Sequence, residues 1–402
     1  MPARTLAALG IVLAALVTAA PGGAATNSLI ARLTQALHAP AVPFSASAAD
    51  VLDLDTGQTL YSHNATLPLL PASNEKLTVT YAALTALGTG FRIETDVLGN
   101  GARTGTTWQG DLVLKGYGDP TLSIADLDRL AQQVHADGIT QVSGRVLGDE
   151  SWFDAHRTAP GWKASFYINE SPPLSALIVD RGIVGHVTSH DPALAAAQEL
   201  VRALSRAGVH VADGATLGVA TDSSVPLASV DSPALTAIVH EMDTYSDNFT
   251  AEMLVKELGA VQAGAGTTSA GLRVVDAQLQ QAGVPLAGVR LVDGSGLSRL
   301  DRLTTSALVS LLHTMWLDPE IRPELLASLP VAGRTGTLVD RMRGTAAAGV
   351  VRAKTGTTDN ATALSGFVGD RYIFSVLVNG DPVSWAWSRF AEDRFATALA
   401  AQ

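Results

Sequence analysis

The chain has 402 residues, more than one typical domain, with 47% hydrophobic and 16% charged residues, which excludes an intrinsically disordered protein. Its formal net charge of −11 argues against nucleic acid as a ligand, because phosphate binding needs a concentrated basic surface. The chain has no cysteine, which excludes disulfides, thiolate nucleophiles and cysteine-based metal sites.

The first 25 residues have the pattern of a signal peptide. Arg4 precedes an apolar stretch over residues 6–20, which is short for a membrane span. Pro21 then interrupts the stretch, and Ala24 and Ala25 offer small side chains for cleavage. We therefore expect residues 1–25 to be removed and the protein to be exported to the cell envelope or beyond. An uncleaved membrane anchor is the alternative.

Apolar spacing predicts the elements that follow. For the first part of the chain the pattern predicts a helix at 28–38, two strands at 49–54 and 59–61 on either side of Asp55-Thr56-Gly57, and a second helix at 73–87. The middle part is rich in turns and strands, with strands at 94–98, 111–115, 142–147 and 209–219 and helices at 123–136 and 192–207. The last part returns to helices and ends in strands, with helices at 248–258, 269–282, 305–316 and from 385, and strands at 349–354, 361–366 and 372–378.

The change from helices to turn-rich strands and back to helices predicts a domain that is split by an insertion. We expect residues 26–91 and 232–402 to form one catalytic domain, and residues 92–231 to form an inserted domain with its own small sheet. Such an insertion is tolerated where its two ends emerge close together on the surface.

The first motif that carries chemistry is Ser73-Asn74-Glu75-Lys76. Residues three apart share a face of a helix, so the hydroxyl of Ser73 and the amine of Lys76 are predicted to meet. A serine hydroxyl needs an adjacent base to act as a nucleophile. Lysine serves as that base only where its surroundings lower its pKa, and a second nearby cation would do so.

Two later motifs supply the remaining groups. Ser246-Asp247-Asn248 is predicted to open a helix, with Ser246 as a proton relay and Asn248 as a hydrogen-bonding partner of base and substrate. Lys354-Thr355-Gly356-Thr357 is predicted at a strand end. There Lys354 supplies the second cation and attracts a substrate carboxylate. Thr355 and Thr357 add hydroxyl groups, and Gly356 lets a substrate lie close to the strand.

Each motif alone is more often structural, but their order, placement and wide separation together resemble the motif set of penicillin-binding proteins and class A β-lactamases. Further segments narrow the resemblance. They are Val51-Leu52-Asp53-Leu54-Asp55-Thr56-Gly57, Gly116-Tyr117-Gly118-Asp119-Pro120 and Asp293-Gly294-Ser295-Gly296. With these, the chain is similar to the class C low-molecular-mass penicillin-binding proteins, the D-Ala-D-Ala carboxypeptidase/endopeptidase family, over nearly the whole mature chain.

The resemblance implies an α+β fold like that of serine β-lactamases and DD-peptidases. Its catalytic domain is an antiparallel sheet flanked by helices, with a β-rich domain inserted between the first and second motifs. It implies that Ser73 is acylated, Lys76 is the general base, Ser246 passes a proton to the leaving amine and Asn248 holds the substrate. Lys354 and Thr355 would bind the terminal carboxylate, and the backbone N–H groups of Ser73 and Thr357 would form the oxyanion hole.

One departure concerns the inserted domain. Fuller members of the family carry a further subdomain after the segment that matches Val179-Asp180-Arg181-Gly182. Here the predicted helix at Pro192 follows almost at once. We therefore expect the third subdomain to be missing or reduced to a remnant near residues 183–190.

Other features are interpreted as secondary. Arg334-Thr335-Gly336-Thr337 imitates the third motif, but we interpret it as structural. The loop that begins at Asp293 is interpreted as an edge of the active site, not as a phosphate loop. No third ligand accompanies His186 and His190, so we expect no metal and no cofactor.

The function predicted is a serine-type D-Ala-D-Ala carboxypeptidase that acts on peptidoglycan stem peptides and is inhibited by β-lactam antibiotics. Endopeptidase action on the same material is left open. The alternatives are a β-lactamase or esterase of the same fold, and a catalytically silent cell-wall binding protein.

Overall fold

Residues 22–402 are described by a computed structural model of the chain. The apolar stretch predicted as the body of a signal peptide lies outside these residues. Within them the helices are α1 (Gly22–Leu37), α2 (Lys76–Ala86), α3 (Ile124–Ala136), α4 (Pro192–Arg206), α5 (Leu235–Tyr245), α6 (Asn248–Ala263), α7 (Thr268–Gln281), α8 (Thr305–Leu317), α9 (Ile321–Ser328) and α10 (Trp385–Ala400).

The strands in the same range form three sheets. They are β1 (Ser47–Asp53), β2 (Gln58–His63), β3 (Glu94–Thr104), β4 (Thr107–Gly116), β5 (Gln141–Val142), β6 (Val146–Asp149), β7 (Ile183–Val184), β8 (Val187–Thr188), β9 (His210–Val211), β10 (Ala215–Leu217), β11 (Val225–Asp231), β12 (Val351–Thr357), β13 (Ala361–Val368) and β14 (Tyr372–Asn379).

A five-stranded antiparallel sheet brings together the two ends of the chain, in the order β12-β13-β14-β1-β2. Every residue of β13 is buried, because helices cover both faces of the sheet. On one face α1 packs against α10, with Leu33 and Phe395 in a shared core. On the other face α8 crosses β1 and β14, over a core that includes Leu77 and Leu254. The sheet therefore places the edge strand β12 beside the helices that carry the first two motifs.

The segment between these parts forms its own sheet of seven strands. Its central order is β10-β6-β4-β3-β11, with β5 beside β4 and β9 beside β5. β3 pairs antiparallel with β4 and β11, whereas β6, β10, β5 and β9 run parallel to their neighbours. Helices α3 and α4 pack together on this sheet around Leu130 and Leu200. The α+β fold with an inserted β-rich domain is confirmed.

Several predicted boundaries were wrong. α1 begins at Gly22, six residues before the predicted start. The strand predicted over 142–147 is two strands, β5 and β6, with residues 143–145 between them. The strand predicted over 209–219 is likewise β9 and β10. α5, α9 and β11 were not delimited from the sequence.

Just before α4, at the position expected for a missing subdomain, the chain makes the short hairpin of β7 and β8. Before it, Asp180 and Arg181 both have positive φ, 46° and 57°. These are sparsely populated conformations for residues with a Cβ, and such residues cluster near functional sites. Arg181 does reach the second motif, as described below.

Candidate active site

Ser73 lies on a short 3-10 turn, Ala72–Glu75, that leads directly into α2. The prediction that the serine begins an α-helix was therefore wrong by one turn, and the α-helix begins at Lys76. The turn is tied to the sheet because the side-chain amide of Asn74 donates to the Lys354 carbonyl at 3.0 Å. Gly356 makes this approach possible. A Cβ there would lie 3.0 Å from the backbone nitrogen of Ser73.

Lys76 lies at the centre of the site and is fully buried. Its Nζ is 3.0 Å from Ser73 Oγ, 2.8 Å from Asn248 Oδ1 and 2.7 Å from the carbonyl oxygen of Ser295. The Asn248 side chain is oriented by a second bond, in which Nδ2 donates to the Glu170 carbonyl at 3.0 Å. Lys76 therefore has two acceptors in fixed positions, and its third neighbour is the hydroxyl of Ser73.

The second motif spans the junction of two helices and does not simply open one. Ser246 ends α5 in the left-handed conformation, with φ 60° and ψ 42°, and Asp247 is the N-cap of α6. Arg181 from the inserted domain forms a bidentate ion pair with Asp247, with one contact at 2.7 Å. This pair holds the pKa of Asp247 below its usual value against the effect of burial. The sharp turn aims Ser246 at Lys354.

The third motif is the second half of an edge strand, since β12 continues through Thr357. The motif therefore lies at the end of a strand, as predicted, but the strand runs three residues past its predicted end at Lys354, and all four motif residues pair with β13. Lys354 Nζ donates to Ser246 Oγ at 2.8 Å and to the Thr355 carbonyl at 3.1 Å. Thr355 Oγ1 donates to Thr337 Oγ1 at 2.7 Å.

Burial changes the acidity of both lysines. It lowers the pKa of Lys76 to about 8, although the carboxylates of Asp293 and Glu252 raise it in part. Burial, followed by repulsion from Lys76, lowers the pKa of Lys354 to about 7, although Asp243 opposes the shift. Both groups therefore exchange protons near neutral pH, where a general acid or base is most effective.

Beneath Lys76 the loop that begins at Asp293 is held by buried carboxyl groups. Glu252 Oε1 accepts from the backbone N–H groups of Gly294 and Ser295, at 3.0 and 2.9 Å. Asp293 accepts from the indole N–H of Trp162 at 2.7 Å. These bonds fix the Ser295 carbonyl that faces Lys76. The interpretation of this loop as an edge of the active site agrees with its position.

Crowding of these acids raises their pKa values. Burial and the charge of Asp293 raise the pKa of Glu252 to about 8, and burial raises that of Asp301 to about 12. Burial, together with the charges of Asp293 and Glu252, raises the pKa of the fully buried Glu75 well above its usual value. The surroundings of Glu75, Glu252 and Asp301 therefore favour the protonated form of each carboxyl group more than water does.

The motifs enclose an open cleft of about 490 Å³. All the predicted site residues belong to this cleft or lie directly beneath it. Sequence reasoning missed several residues that also line it, which are Glu170, Leu297, Thr337, Asp340, Arg341 and Arg389. The interpretation of Thr337 as structural therefore needs correction, because its hydroxyl faces the cleft beside Thr355. Its Gly-Thr context, so similar to the third motif, was the available signal.

Two general properties of residues 22–402 complete the description. No group of three or more His, Asp or Glu side chains there is arranged to hold a metal ion. No helix within that range is long and apolar enough to cross a membrane.

Comparison with known proteins identifies relatives in sequence. The profile of the D-Ala-D-Ala carboxypeptidase 3 (S13) family matches residues 29–188 and 184–402. A D-alanyl-D-alanine carboxypeptidase of Actinomadura sp. (strain R39) is 35% identical over an alignment of 442 residues, covering 89% of this chain and 82% of the relative. A carboxypeptidase of Mycobacterium tuberculosis is 34% identical over 345 residues, covering 80% of this chain and 72% of the relative.

A solved structure shows the same fold. Penicillin binding protein 4 of Haemophilus influenzae superposes with a TM-score of 0.78 at 22% identity, covering 92% of this chain and 98% of that one. The alignment with the Actinomadura enzyme is longer than the present chain, so that relative carries segments which this chain lacks.

Proposed function

The chain belongs to the D-Ala-D-Ala carboxypeptidase 3 (S13) family, and on that premise we propose that it hydrolyses the bond between two D-alanines of peptidoglycan stem peptides through an acyl-enzyme on Ser73. The observation that carries the proposal is the set of contacts around Lys76 Nζ. The Ser295 carbonyl is an obligatory acceptor, and Asn248 presents Oδ1 because its Nδ2 is already donating. A neutral amine has two hydrogens and one lone pair, so with these two acceptors satisfied its lone pair faces Ser73 Oγ at 3.0 Å.

Burial makes this neutral amine available. With a pKa of about 8, about 10% of Lys76 is neutral at pH 7, against less than about 0.1% for an unperturbed lysine. In the proposed acylation step, Ser73 Oγ attacks the carbonyl carbon of the penultimate D-alanine and its proton passes to Lys76. The negative charge on the carbonyl oxygen is stabilised by the backbone N–H groups of Ser73 and Thr357.

The leaving group is handled at the other side of the cleft. The C–N bond breaks as Ser246 gives its proton to the departing amine and regains one from Lys354, whose Nζ is 2.8 Å away. The terminal carboxylate of the substrate lies against Lys354 and Thr355. Thr337, whose hydroxyl is hydrogen-bonded to that of Thr355, is a further hydroxyl partner. After this step Lys76 is charged and Lys354 is neutral.

Deacylation reverses the roles, with water in place of the amine. Lys354, through Ser246, takes the proton of the attacking water, and Lys76 returns a proton to Ser73 Oγ as the ester bond breaks. The pKa values of about 8 and about 7 are close enough for a proton to move from one lysine to the other in each turnover. β-Lactams acylate Ser73 by the same first step.

The proposal extends to the organisation of the chain. We propose export after removal of residues 1–25, an inserted domain at 92–231 and a third subdomain reduced to the β7–β8 hairpin. In support, the seven-stranded sheet is built from Glu94–Thr104 through Val225–Asp231, and the family match divides into two segments at residues 184–188.

The experiment labels the mature protein with a fluorescent penicillin and measures D-alanine release from a D-Ala-D-Ala tripeptide in parallel. Ser73→Ala is compared with wild type, and Ser62→Ala, an exposed serine of β2, is the matched control. We expect stable labelling and D-alanine release in wild type and the control, and neither in Ser73→Ala. Folded wild type without labelling or release contradicts the proposal. Rapid loss of label with β-lactam hydrolysis identifies a β-lactamase instead.

A further inference from the structure

The outer face of α10 carries an exposed group of aromatic and basic side chains. Trp385, Trp387 and Phe390 are 48, 42 and 45% exposed, which is unusual for three large aromatic rings on adjacent turns of one helix. Arg389 and Arg394 are exposed beside them. We call these five residues the α10 platform. The opposite face of the helix is buried in the core and needs no partner.

The two arginines of the platform are available to an anionic partner. Neither forms an ion pair within residues 22–402, whereas nearby Arg341 is neutralised by Glu392 and Asp393. The guanidinium of Arg389 lies over the ring of Trp385 at 5.8 Å, and that of Arg394 over the ring of Phe390 at 5.4 Å. The ring faces hold both cations on the surface without neutralising them.

Two residues of the platform, Trp385 and Arg389, adjoin the catalytic cleft. Arg389 lines the cleft and donates to Thr357 Oγ1 at 3.0 Å. The indole N–H of Trp385 donates to the Thr358 carbonyl at 2.8 Å, one residue beyond the third motif. A substrate that lies along β12 and extends past Thr357 therefore meets Trp385 and Arg389 first, and Trp387, Phe390 and Arg394 follow farther around the same exposed helix. A D-Ala-D-Ala dipeptide is too short to do so, but a polymer is not.

We propose that the α10 platform binds the glycan and peptide chain of polymeric peptidoglycan beyond the scissile D-alanines. The inference rests on the proposed function, which supplies a substrate that is part of a polymer. Sugar rings present apolar C–H faces that pack on exposed aromatic rings, and stem peptides carry carboxylates that pair with guanidinium groups. A bilayer surface also binds aromatic and basic residues, but it gives no reason for the platform to join the cleft.

The test uses Trp387→Ala/Phe390→Ala, which removes two rings that make no contact with the third motif, and Arg394→Glu as a second variant. Leu217→Ala/Val219→Ala is the matched control, because both side chains are exposed, at 49 and 58%, on the inserted domain. D-Alanine release is measured from a soluble tripeptide and from purified sacculi. Cosedimentation is measured with sacculi and with phosphatidylglycerol vesicles, and circular dichroism confirms that each variant is folded.

We expect both platform variants to release D-alanine from the tripeptide within about twofold of wild type, and to lose roughly tenfold in activity on sacculi and in sacculus binding. The control keeps both activities. Unchanged activity and binding on sacculi would overturn the platform proposal and leave the proposed function intact. Loss of vesicle binding with unchanged sacculus binding would also overturn the platform proposal, because it would assign the platform to a membrane surface. No release from the tripeptide in wild type would instead contradict the proposed function.

Discussion

Replacing Lys354 by glutamine separates the two lysines of the proposed proton cycle. In wild type, acylation needs Lys76 neutral and Lys354 charged. As the pH rises through about 8, Lys76 loses its proton and becomes able to act as the base. As the pH rises through about 7, Lys354 loses the charge that acylation needs. The wild-type rate of acylation is therefore expected to be a narrow bell with its maximum near pH 7.5. Lys354→Gln removes the falling limb and leaves a rate that rises with pH.

The size of the change follows from the same pKa values. At pH 7.5 the fraction with Lys76 neutral and Lys354 charged is about 6%, and at pH 6 or 9 it is about 1%. In the variant only Lys76 titrates. Burial, the largest cause of its lowered pKa, is unchanged, so its neutral fraction rises from about 1% at pH 6 to about 90% at pH 9. Loss of the charged partner of the substrate carboxylate, about 1.5–3 kcal/mol, lowers the rate roughly 10- to 150-fold near pH 7.5.

The assay is the second-order rate constant for labelling by a fluorescent penicillin, measured from pH 5.5 to 9.5. Lys163→Gln is the matched control, because Lys163 lines a small neighbouring pocket that shares Leu297 with the cleft, forms an ion pair with Asp359, and has no hydrogen bond to Ser73 or Ser246. Its profile should remain a bell. A falling alkaline limb that persists in Lys354→Gln, or a wild-type rate that is flat between pH 6 and 9, would refute the reasoning.

Three further outcomes are expected. Arg181→Ala removes the bidentate partner of Asp247 and should slow penicillin labelling roughly tenfold with a small change in melting temperature; an unchanged rate would show that the pair does not position the second motif. Gly356→Ala places a Cβ 3.0 Å from the Ser73 nitrogen and should slow labelling roughly 10- to 100-fold, and a wild-type rate would exclude that contact as a constraint. Burial raises the pKa of Glu257 to about 7, so ionisation of this group destabilises the fold as the pH rises from about 4.5 through 7. Between pH 5 and 8 the free energy of unfolding, measured by urea titration, should therefore fall less for Glu257→Gln than for wild type.

The sequence was most informative where chemistry depends on local spacing. Ser73 and Lys76 are three residues apart and meet across one turn, although that turn is 3-10 where an α-helix was expected. The alternating and buried strands of the last third were located within a few residues, because their apolar pattern reflects a sheet covered on both faces. The strands of the inserted domain were harder to delimit, since β5 and β9 are only two residues long and give no periodic signal.

Residues that act through their backbone could not be found from residue types. The carbonyl oxygens of Ser295 and Glu170 decide where the hydrogens of Lys76 and Asn248 point, yet any amino acid supplies such an oxygen. Arg389 and Thr337 belong to the cleft because α10 and the segment before β12 pack there. That packing is set by long-range contacts, which local spacing does not encode.

The sequence by itself therefore predicted the candidate reacting groups, their order along the chain and the presence of an inserted domain, because those depend on residue type and local period. Tertiary structure alone decided that Lys76 is buried with its Nζ 3.0 Å from Ser73 Oγ, that Lys354 lies beside Ser246, and that Arg389 of α10 lines the cleft. The physical reason is that burial, pKa and hydrogen-bond direction are properties of the surroundings of a side chain, and those surroundings are assembled from segments more than a hundred residues apart.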